Sequence, residues 1–277
     1  MSWYKVEATG NDFLIWTETS DTAARALNQQ TIVVQGKAVD RAQISRLCDR
    51  HRGIGADGLI VLARVGLSWE WSFFNSDGSD AEMCGNATRA VGCILHGKGL
   101  MATDAPVTLK TVAGTVEISR VAENHWRTHL RYLKAMSPSL AAPDLKTPDF
   151  VKGLWFANTG VPHLVLEVDE LRIGQSDLEF VRELRAPNKL RVTGANVTLL
   201  SQDQQTVTFE RGVEDWTLSC GTGALAAGLV ALRREGRLKG GESLTLVAPG
   251  GRLTVELDQD RTMALSGPAY LIARFEL

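Results

Sequence analysis

The chain has 277 residues, enough for one large domain or two of ordinary size. Hydrophobic residues make up 44% and charged residues 22%, a globular balance that supplies a substantial core and excludes a disordered chain. The formal charge of −2 argues against nucleic acid or an anionic membrane as an obligatory partner, and no apolar run reaches the length of a transmembrane helix.

The first residues, Met1-Ser2-Trp3-Tyr4-Lys5-Val6-Glu7, lack a basic segment followed by an apolar stretch. No secretory signal is expected there, and a cytoplasmic protein with reduced thiols is the default. Phe13–Trp16 reads as a strand, and residues 19–40 as an extended loop or hairpin. A helix is expected near Ala42 to Arg50, then strands over Gly58–Leu62 and Trp69–Phe74. The run after Cys84 reads as an apolar helix, followed by a strand over Thr115–Ile118. Further strands fall at Leu164–Val168, Val197–Leu200 and Thr206–Phe209, then a helix from about Ala224 to Arg234 and a strand over Leu244–Val247. The last strand, Tyr270–Phe275, is expected to return to the first half. A strand-rich α/β fold with one apolar helix inside each half fits this order. The boundary is expected shortly after Ile118, giving residues 1–118 plus 265–277 and residues 119–264.

Three matches in the same order point to duplication. Gly10-Asn11-Asp12-Phe13-Leu14-Ile15 resembles Gly160-Val161-Pro162-His163-Leu164-Val165 in its glycine and apolar tail. Gly55-Ala56-Asp57 resembles Gly194-Ala195-Asn196, and Cys84-Gly85 resembles Cys220-Gly221. Together they favour two similar halves, each contributing one cysteine.

Two other patterns carry no function. Gly53-Ile54-Gly55-Ala56-Asp57-Gly58 satisfies a dinucleotide-binding spacing, but with a helix before it and a strand after it, the reverse of what that motif needs. Asn86-Ala87-Thr88 and Asn196-Val197-Thr198 match a glycosylation acceptor, which means nothing without a secretory route. The four cysteines form no Cys-x-x-Cys pair, so neither a zinc site nor a disulfide scaffold is expected. Cys48 and Cys93 read as buried structural thiols.

Met83-Cys84-Gly85-Asn86-Ala87-Thr88 and Ser219-Cys220-Gly221-Thr222-Gly223-Ala224 both lead from a cysteine through small residues into a helix. A helix start offers N–H donors to an anion and stabilises a thiolate. Two such cysteines on opposite faces of one carbon could remove a proton and return another, inverting an α-amino acid centre. The flanking N–H groups would hold its carboxylate and the carbanion-like state. Packing of small residues around buried cysteines, and reversible thiol redox, are the other readings of the same pair.

At these residues the sequence resembles the diaminopimelate epimerases, cofactor-independent amino-acid epimerases. The resemblance runs through Gly10-Asn11-Asp12-Phe13, Arg52-Gly53-Ile54-Gly55-Ala56-Asp57-Gly58, Asn75-Ser76-Asp77-Gly78-Ser79 and Met83-Cys84-Gly85-Asn86. It continues through Asn158-Thr159-Gly160-Val161-Pro162-His163, Glu210-Arg211-Gly212-Val213-Glu214-Asp215 and Cys220-Gly221-Thr222-Gly223. It implies two pseudo-symmetric halves, each a mostly antiparallel sheet wrapped around a central helix, with the site in the cleft between them. It implies Cys84 and Cys220 as the acid–base pair, and His163 and Glu210 as supports of the amino group and of thiol ionisation. Gly85, Asn86, Gly221 and Thr222 would cradle the reacting carboxylate. Asn11, Asn75, Asn196 and Arg211 would hold the substrate, with Arg211, beside Glu210, forking onto a distant carboxylate. No cofactor or metal, a small amino-acid substrate, and a homodimer in lysine biosynthesis complete the expectation. Val161, Trp216 and Ala87 depart from the family pattern, and residues 19–40 show no clear match to it. The first two departures leave open an epimerase or racemase of another amino acid, such as histidine or a broad set; a non-catalytic amino-acid-binding or thiol-redox protein is the alternative from another class.

Overall fold

The computed structural model describes residues 3–18, 32–34, 37–81, 83–102, 105–140, 147–171, 175–185 and 194–276. It divides into two compact units, Met1–Tyr132 with Gly267–Leu277, and Leu133–Ser266. Among the described residues no helix is long and apolar enough to cross a membrane.

In chain order the first unit runs β1 (Trp3–Ala8), β2 (Asn11–Glu18), the hairpin β3 (Ile32–Val34) and β4 (Lys37–Val39), and α1 (Arg41–Cys48). It continues with β5 (Gly58–Val65), β6 (Ser68–Asn75), α2 (Gly85–Gly97), β7 (Val107–Thr111), β8 (Gly114–Ala122) and β9 (His125–Lys134). The second unit carries β10 (Ser139–Leu140), β11 (Val151–Asn158), β12 (Pro162–Val168), α3 (Gln175–Arg185), β13 (Asn196–Ser201), β14 (Thr206–Phe209) and β15 (Trp216–Thr217). After α4 (Gly221–Arg234) come β16 (Glu242–Ala248), β17 (Gly251–Leu257) and β18 (Thr262–Pro268), and the final strand β19 (Tyr270–Phe275) belongs to the first unit. The part of segment 19–40 read as a hairpin is β3–β4; residues 19–31 lie outside the described residues.

In the first unit the strands are ordered β9-β8-β7-β6-β5-β2-β1-β19. Most neighbours are antiparallel, but β2 pairs parallel with β5 and β6 with β7, so the sheet is mixed. The second unit has the six-stranded sheet β10-β11-β12-β13-β14-β15, mixed through the parallel pair β12–β13, and the antiparallel meander β16-β17-β18. The unit boundary falls later in the chain than the sequence expectation after Ile118. The physical reason is a hairpin: β8 continues to Ala122 and pairs antiparallel with β9, so residues past Ile118 stay in the first unit's sheet.

Local sequence explains how the site-bearing helices are set. Asp40 opens α1 with a capping box: its carboxylate accepts from the Gln43 N–H at 2.8 Å, and its own N–H donates to Gln43 Oε1 at 2.8 Å. The loop back to β5 then folds onto the end of α1. A Cβ on Gly53 would stand 2.0 Å from the Arg46 carbonyl, so the glycine-rich stretch serves close backbone approach here, between a helix and a strand. Helix α2 packs on β1, β2 and β8, and α4 on β11 to β14, β16 and β17. Both are apolar along their length, and each buried Val, Ile or Leu stabilises its unit by roughly 1.5–3 kcal/mol.

The duplication is visible in conformation. Gly10 and Gly160 both have positive φ (93° and 100°), and Gly55 and Gly194 share φ 79°. Gly92 in α2 and Gly228 in α4 occupy matching helix positions. A Cβ on either would come within 2.8 Å of a strand side chain, Ile118 or Val255. Small residues there let each helix lie close on its sheet.

Candidate active site

Cys84 and Cys220 occupy the same place in their units. Each is the extended residue just before a central helix, with φ −145° and ψ 124° at Cys84 and φ −126° and ψ 117° at Cys220. Both are half-buried, and the first N–H groups of each helix lie outside the intrahelical ladder. At Cys220 one of these reaches the sulfur: Gly223 N–H donates to Sγ at 3.4 Å.

In the first unit, Gly85 and Asn86 begin α2 and are buried. Asn86 Nδ2 donates to Asn11 Oδ1 at 2.6 Å, and Asn11 Nδ2 donates to Asp57 Oδ2 at 3.0 Å. Asp57 and Asp12 are bound by Arg50, which donates to Asp12 from both terminal nitrogens (2.9 and 2.8 Å) and to Asp57 at 2.7 Å. Burial alone would raise the Asp12 carboxyl, but the contacts with Arg50 and Lys5 outweigh it and hold it below its usual range. Asn75, at the end of β6, is exposed and donates to Ser79 Oγ at 2.9 Å within its own turn. Cys84, Gly85, Asn86 and Asn11 thus come together, while Asn75 is bonded elsewhere.

Sequence reasoning missed Arg89. Its side chain is fully buried and donates to the Gly85 carbonyl (3.2 Å), Thr9 Oγ1 (2.6 Å) and Asn86 Oδ1 (2.8 Å). The last bond fixes the Asn86 amide with Nδ2 toward Asn11. Burial lowers the Arg89 pKa to about 10, partly offset by the Cys84 sulfur and then Glu7. The available signal was a lone cation within the apolar run of α2.

In the second unit the expected residues form one chain of contacts. Arg211 N–H donates to Asn196 Oδ1 at 2.8 Å, and Asn196 Nδ2 lies 3.4 Å from His163 Nε2. His163 Nε2 lies 3.0 Å from Thr222 Oγ1, which is 3.4 Å from Cys220 Sγ. Glu210 accepts from Thr217 Oγ1 at 2.5 Å and hydrogen-bonds Cys220; burial pushes its carboxyl up, and these two bonds pull partly the other way. Full burial lowers His163 to about 3, so the ring is neutral at ordinary pH. Its other nitrogen, Nδ1, meets Thr198 Oγ1 at 3.0 Å, and Thr198 meets Thr208 Oγ1 at 3.0 Å. This hydroxyl chain was also missed, because Thr198 and Thr208 read as ordinary β-branched strand residues. Gly221 is buried at the start of α4, and the exposed Arg211 side chain lies over Gly194, where a Cβ would come within 2.6 Å of Nη1.

The departures from the family pattern have local explanations. Trp216 is partly buried and packs edge-on against Phe209 of the second unit's core, with ring centroids 5.5 Å apart. Ala87 is fully buried in the first turn of α2. Val161 sits in the β11–β12 turn and accepts from Thr159 N–H at 3.2 Å. Cys48 is buried and its thiol is pushed up to about 12, chiefly by burial and then by Asp12 and Asp57. Burial also raises Cys93. Neither has the setting of a reactive thiol.

Chemically, each unit presents a half-buried sulfur at a helix start that can hold an anion. One sulfur stands at the start of the helix that carries the buried Arg89 cation. The other has a carboxyl group and a neutral imidazole relay.

The family model described as diaminopimelate epimerase matches residues 27–134 and 155–272. The match begins inside segment 19–40, so residues 27–40 do have a family counterpart. A diaminopimelate epimerase from Aquifex aeolicus is 31% identical over 284 residues, covering 98% of this chain and 96% of that protein. One from Nitratiruptor is 38% identical over 240 residues, covering 83% and 81%. The solved structure of a Bacillus anthracis phenazine biosynthesis protein of the PhzF family superposes with a TM-score of 0.70 at 16% identity, covering 100% of this chain and 98% of that one. That likeness shows the fold. With the family match spanning most of its length, the chain belongs to the diaminopimelate epimerase family.

Proposed function

We propose that the chain interconverts L,L- and meso-diaminopimelate by two-base proton transfer at the α-carbon. The observation that carries this reading is the duplicated helix start, with Cys84 and Cys220 in the same extended conformation ahead of equivalent apolar helices. In the reaction, one thiolate forms an S–H bond as the Cα–H bond breaks. The electron pair left on Cα takes the proton of the second cysteine from the opposite face, which leaves that cysteine as the thiolate. Charge and protons balance with no external oxidant or reductant.

The N–H groups of both helix starts, with Asn86 and Thr222, hold the α-carboxylate. His163, kept neutral, orients Thr222 toward Cys220, while Glu210 binds the amino group and contacts the same sulfur. Asn11, Asn75 and Asn196 hold the rest of the substrate. Arg211 forks onto the distal carboxylate, a role its exposure and lack of an ion pair among the described residues support. We read the protein as a cytoplasmic homodimer serving lysine biosynthesis.

The test is an epimerisation assay on L,L-diaminopimelate beside a panel including proline and histidine, without added cofactor. The expected result is turnover of diaminopimelate alone. Preferred turnover of a panel amino acid would overturn the substrate assignment, and Arg211→Met should then leave kcat/KM unaffected.

A further inference from the structure

We propose that Arg89 is a positioning residue that acts as the resident counter-cation of Cys84, so that the free protein rests with the thiolate on Cys84 and the proton on Cys220. This deepens the two-base reading above and rests on it.

The geometry points this way in both units. Arg89 is fully buried, yet its three hydrogen-bond acceptors are all neutral: a carbonyl, a hydroxyl and an amide oxygen. Its Nε has no hydrogen-bond partner, and among the described residues no carboxylate lies within ion-pairing distance. A buried cation without a counter-charge is expensive, by several kcal/mol. The anions it feels are Cys84, at the start of the same helix and next to Gly85, whose carbonyl accepts from the guanidinium at 3.2 Å, and Glu7 at the end of β1. Glu7 is engaged with the Gly10 N–H. A thiolate at Cys84 therefore supplies what the guanidinium lacks.

The other charges on the elements around α2 do not supply it. Asp12 on β2 is held by Arg50 and Lys5, and Glu117 on β8 by Arg131. His125, at the start of β9, is a base whose pKa is lowered by burial and then by Arg89 itself, so it supplies no negative charge. Strand β19 carries no aspartate or glutamate.

The second unit differs at the matching position. Helix α4 has Leu225 where α2 has Arg89, and Leu225 is buried. Cys220 instead contacts Glu210, whose burial disfavours a nearby second negative charge, and the His163 ring that reaches it through Thr222 is neutral. The duplication thus kept the fold of the two helix starts while giving one a buried guanidinium and the other a contact with a carboxyl group. It follows that the isomer presenting its α-hydrogen to Cys84 meets a ready base, whereas the other must wait for the proton to move from Cys220 to Cys84.

The experiment is pulsed iodoacetamide labelling of the intact, substrate-free protein across about pH 5 to about pH 9, with the Cys84 and Cys220 peptides quantified by mass spectrometry. Each profile is normalised to its own plateau, and Cys48 serves as an unreactive control. The expected result is a Cys84 midpoint below that of Cys220. Arg89→Met should raise the Cys84 midpoint by about 1 to 3 pH units, the range for removing a close opposite charge, and leave the Cys220 midpoint in place. Arg89→Lys should restore most of the shift. A purely structural arginine would not move one cysteine's profile selectively. A wild-type Cys220 midpoint at or below that of Cys84 overturns the proposal, as does a folded Arg89→Met with an unmoved Cys84. If Arg89→Met does not fold, the wild-type order and Arg89→Lys decide. Because labelling needs no substrate, a protein inactive on diaminopimelate but showing this order would sink the substrate assignment and leave the inference standing.

Discussion

Gly223 tests the local architecture behind Cys220. An ideal Cβ at this position would stand 2.2 Å from Thr208 Oγ1, 3.1 Å from Thr198 Oγ1 and 3.2 Å from Cys220 Cβ. Against an ordinary contact of roughly 3.5 Å, the first overlap exceeds about 1 Å. The Thr208 hydroxyl must therefore swing away, breaking its 3.0 Å bond to Thr198, the group that holds His163 Nδ1. Disrupting a buried hydroxyl bond costs about 1–3 kcal/mol, and forcing a methyl into a packed core about the same. Alanine's helix propensity returns up to about 1 kcal/mol. The net expectation for Gly223→Ala is a loss of roughly 1–6 kcal/mol in urea unfolding, with about a tenfold fall in kcat because the Gly223 N–H shifts off Cys220 Sγ. The same substitution in a Thr208→Ala background should be close to neutral, since the clashing hydroxyl is gone. Equal losses in both backgrounds would refute the steric argument.

Other predictions rest on the relay and on His163. Thr222→Val removes the hydroxyl between His163 and Cys220 and should lower kcat roughly 10- to 100-fold with circular dichroism unchanged, while Thr222→Ser should keep most activity. His163 is held near 3 by burial against an ordinary 6.5, so the unfolded chain binds a proton that the folded one refuses. Its contribution to stability is complete above about pH 6.5 and is lost as pH falls toward about 3. Between about pH 7 and about pH 5 the wild type should lose ~2 kcal/mol more than His163→Gln in urea unfolding; identical losses would show that His163 is not the titrating group.

Much of the fold was legible because short apolar runs bounded by glycine mark strands, as at Gly58–Leu62 and Val197–Leu200, both inside observed strands. The two central helices were legible for a different reason, a cysteine followed by small residues and then unbroken apolar sequence. Helix α3 was not, since Gln-Ser-Asp-Leu-Glu-Phe-Val-Arg-Glu-Leu-Arg is mostly polar, with Val181 and Leu184 the buried core residues among those described. The unit boundary was placed early because the polar Glu123-Asn124 reads as a linker when it is the turn of the β8–β9 hairpin.

The site divides along the same line. The paired cysteines, Cys84 and Cys220, stand out from their repeated setting in the sequence, while Gly85 and Thr222 enter the site through the family resemblance. Residues whose role follows from packing do not stand out: Arg89, Thr198 and Thr208 gain their meaning only when strands and helix bring them together. Trp216 shows the converse. In sequence it looks like a change at the substrate; in the structure its ring packs on Phe209.

The central claim is that Cys84 and Cys220 exchange protons with opposite faces of one α-carbon. Its most direct test is proton NMR of diaminopimelate in deuterated water with the wild type, Cys84→Ala and Cys220→Ala. The wild type is expected to invert the centre with incorporation of solvent deuterium, and each variant to lose inversion. Inversion at the wild-type rate in either variant would contradict it.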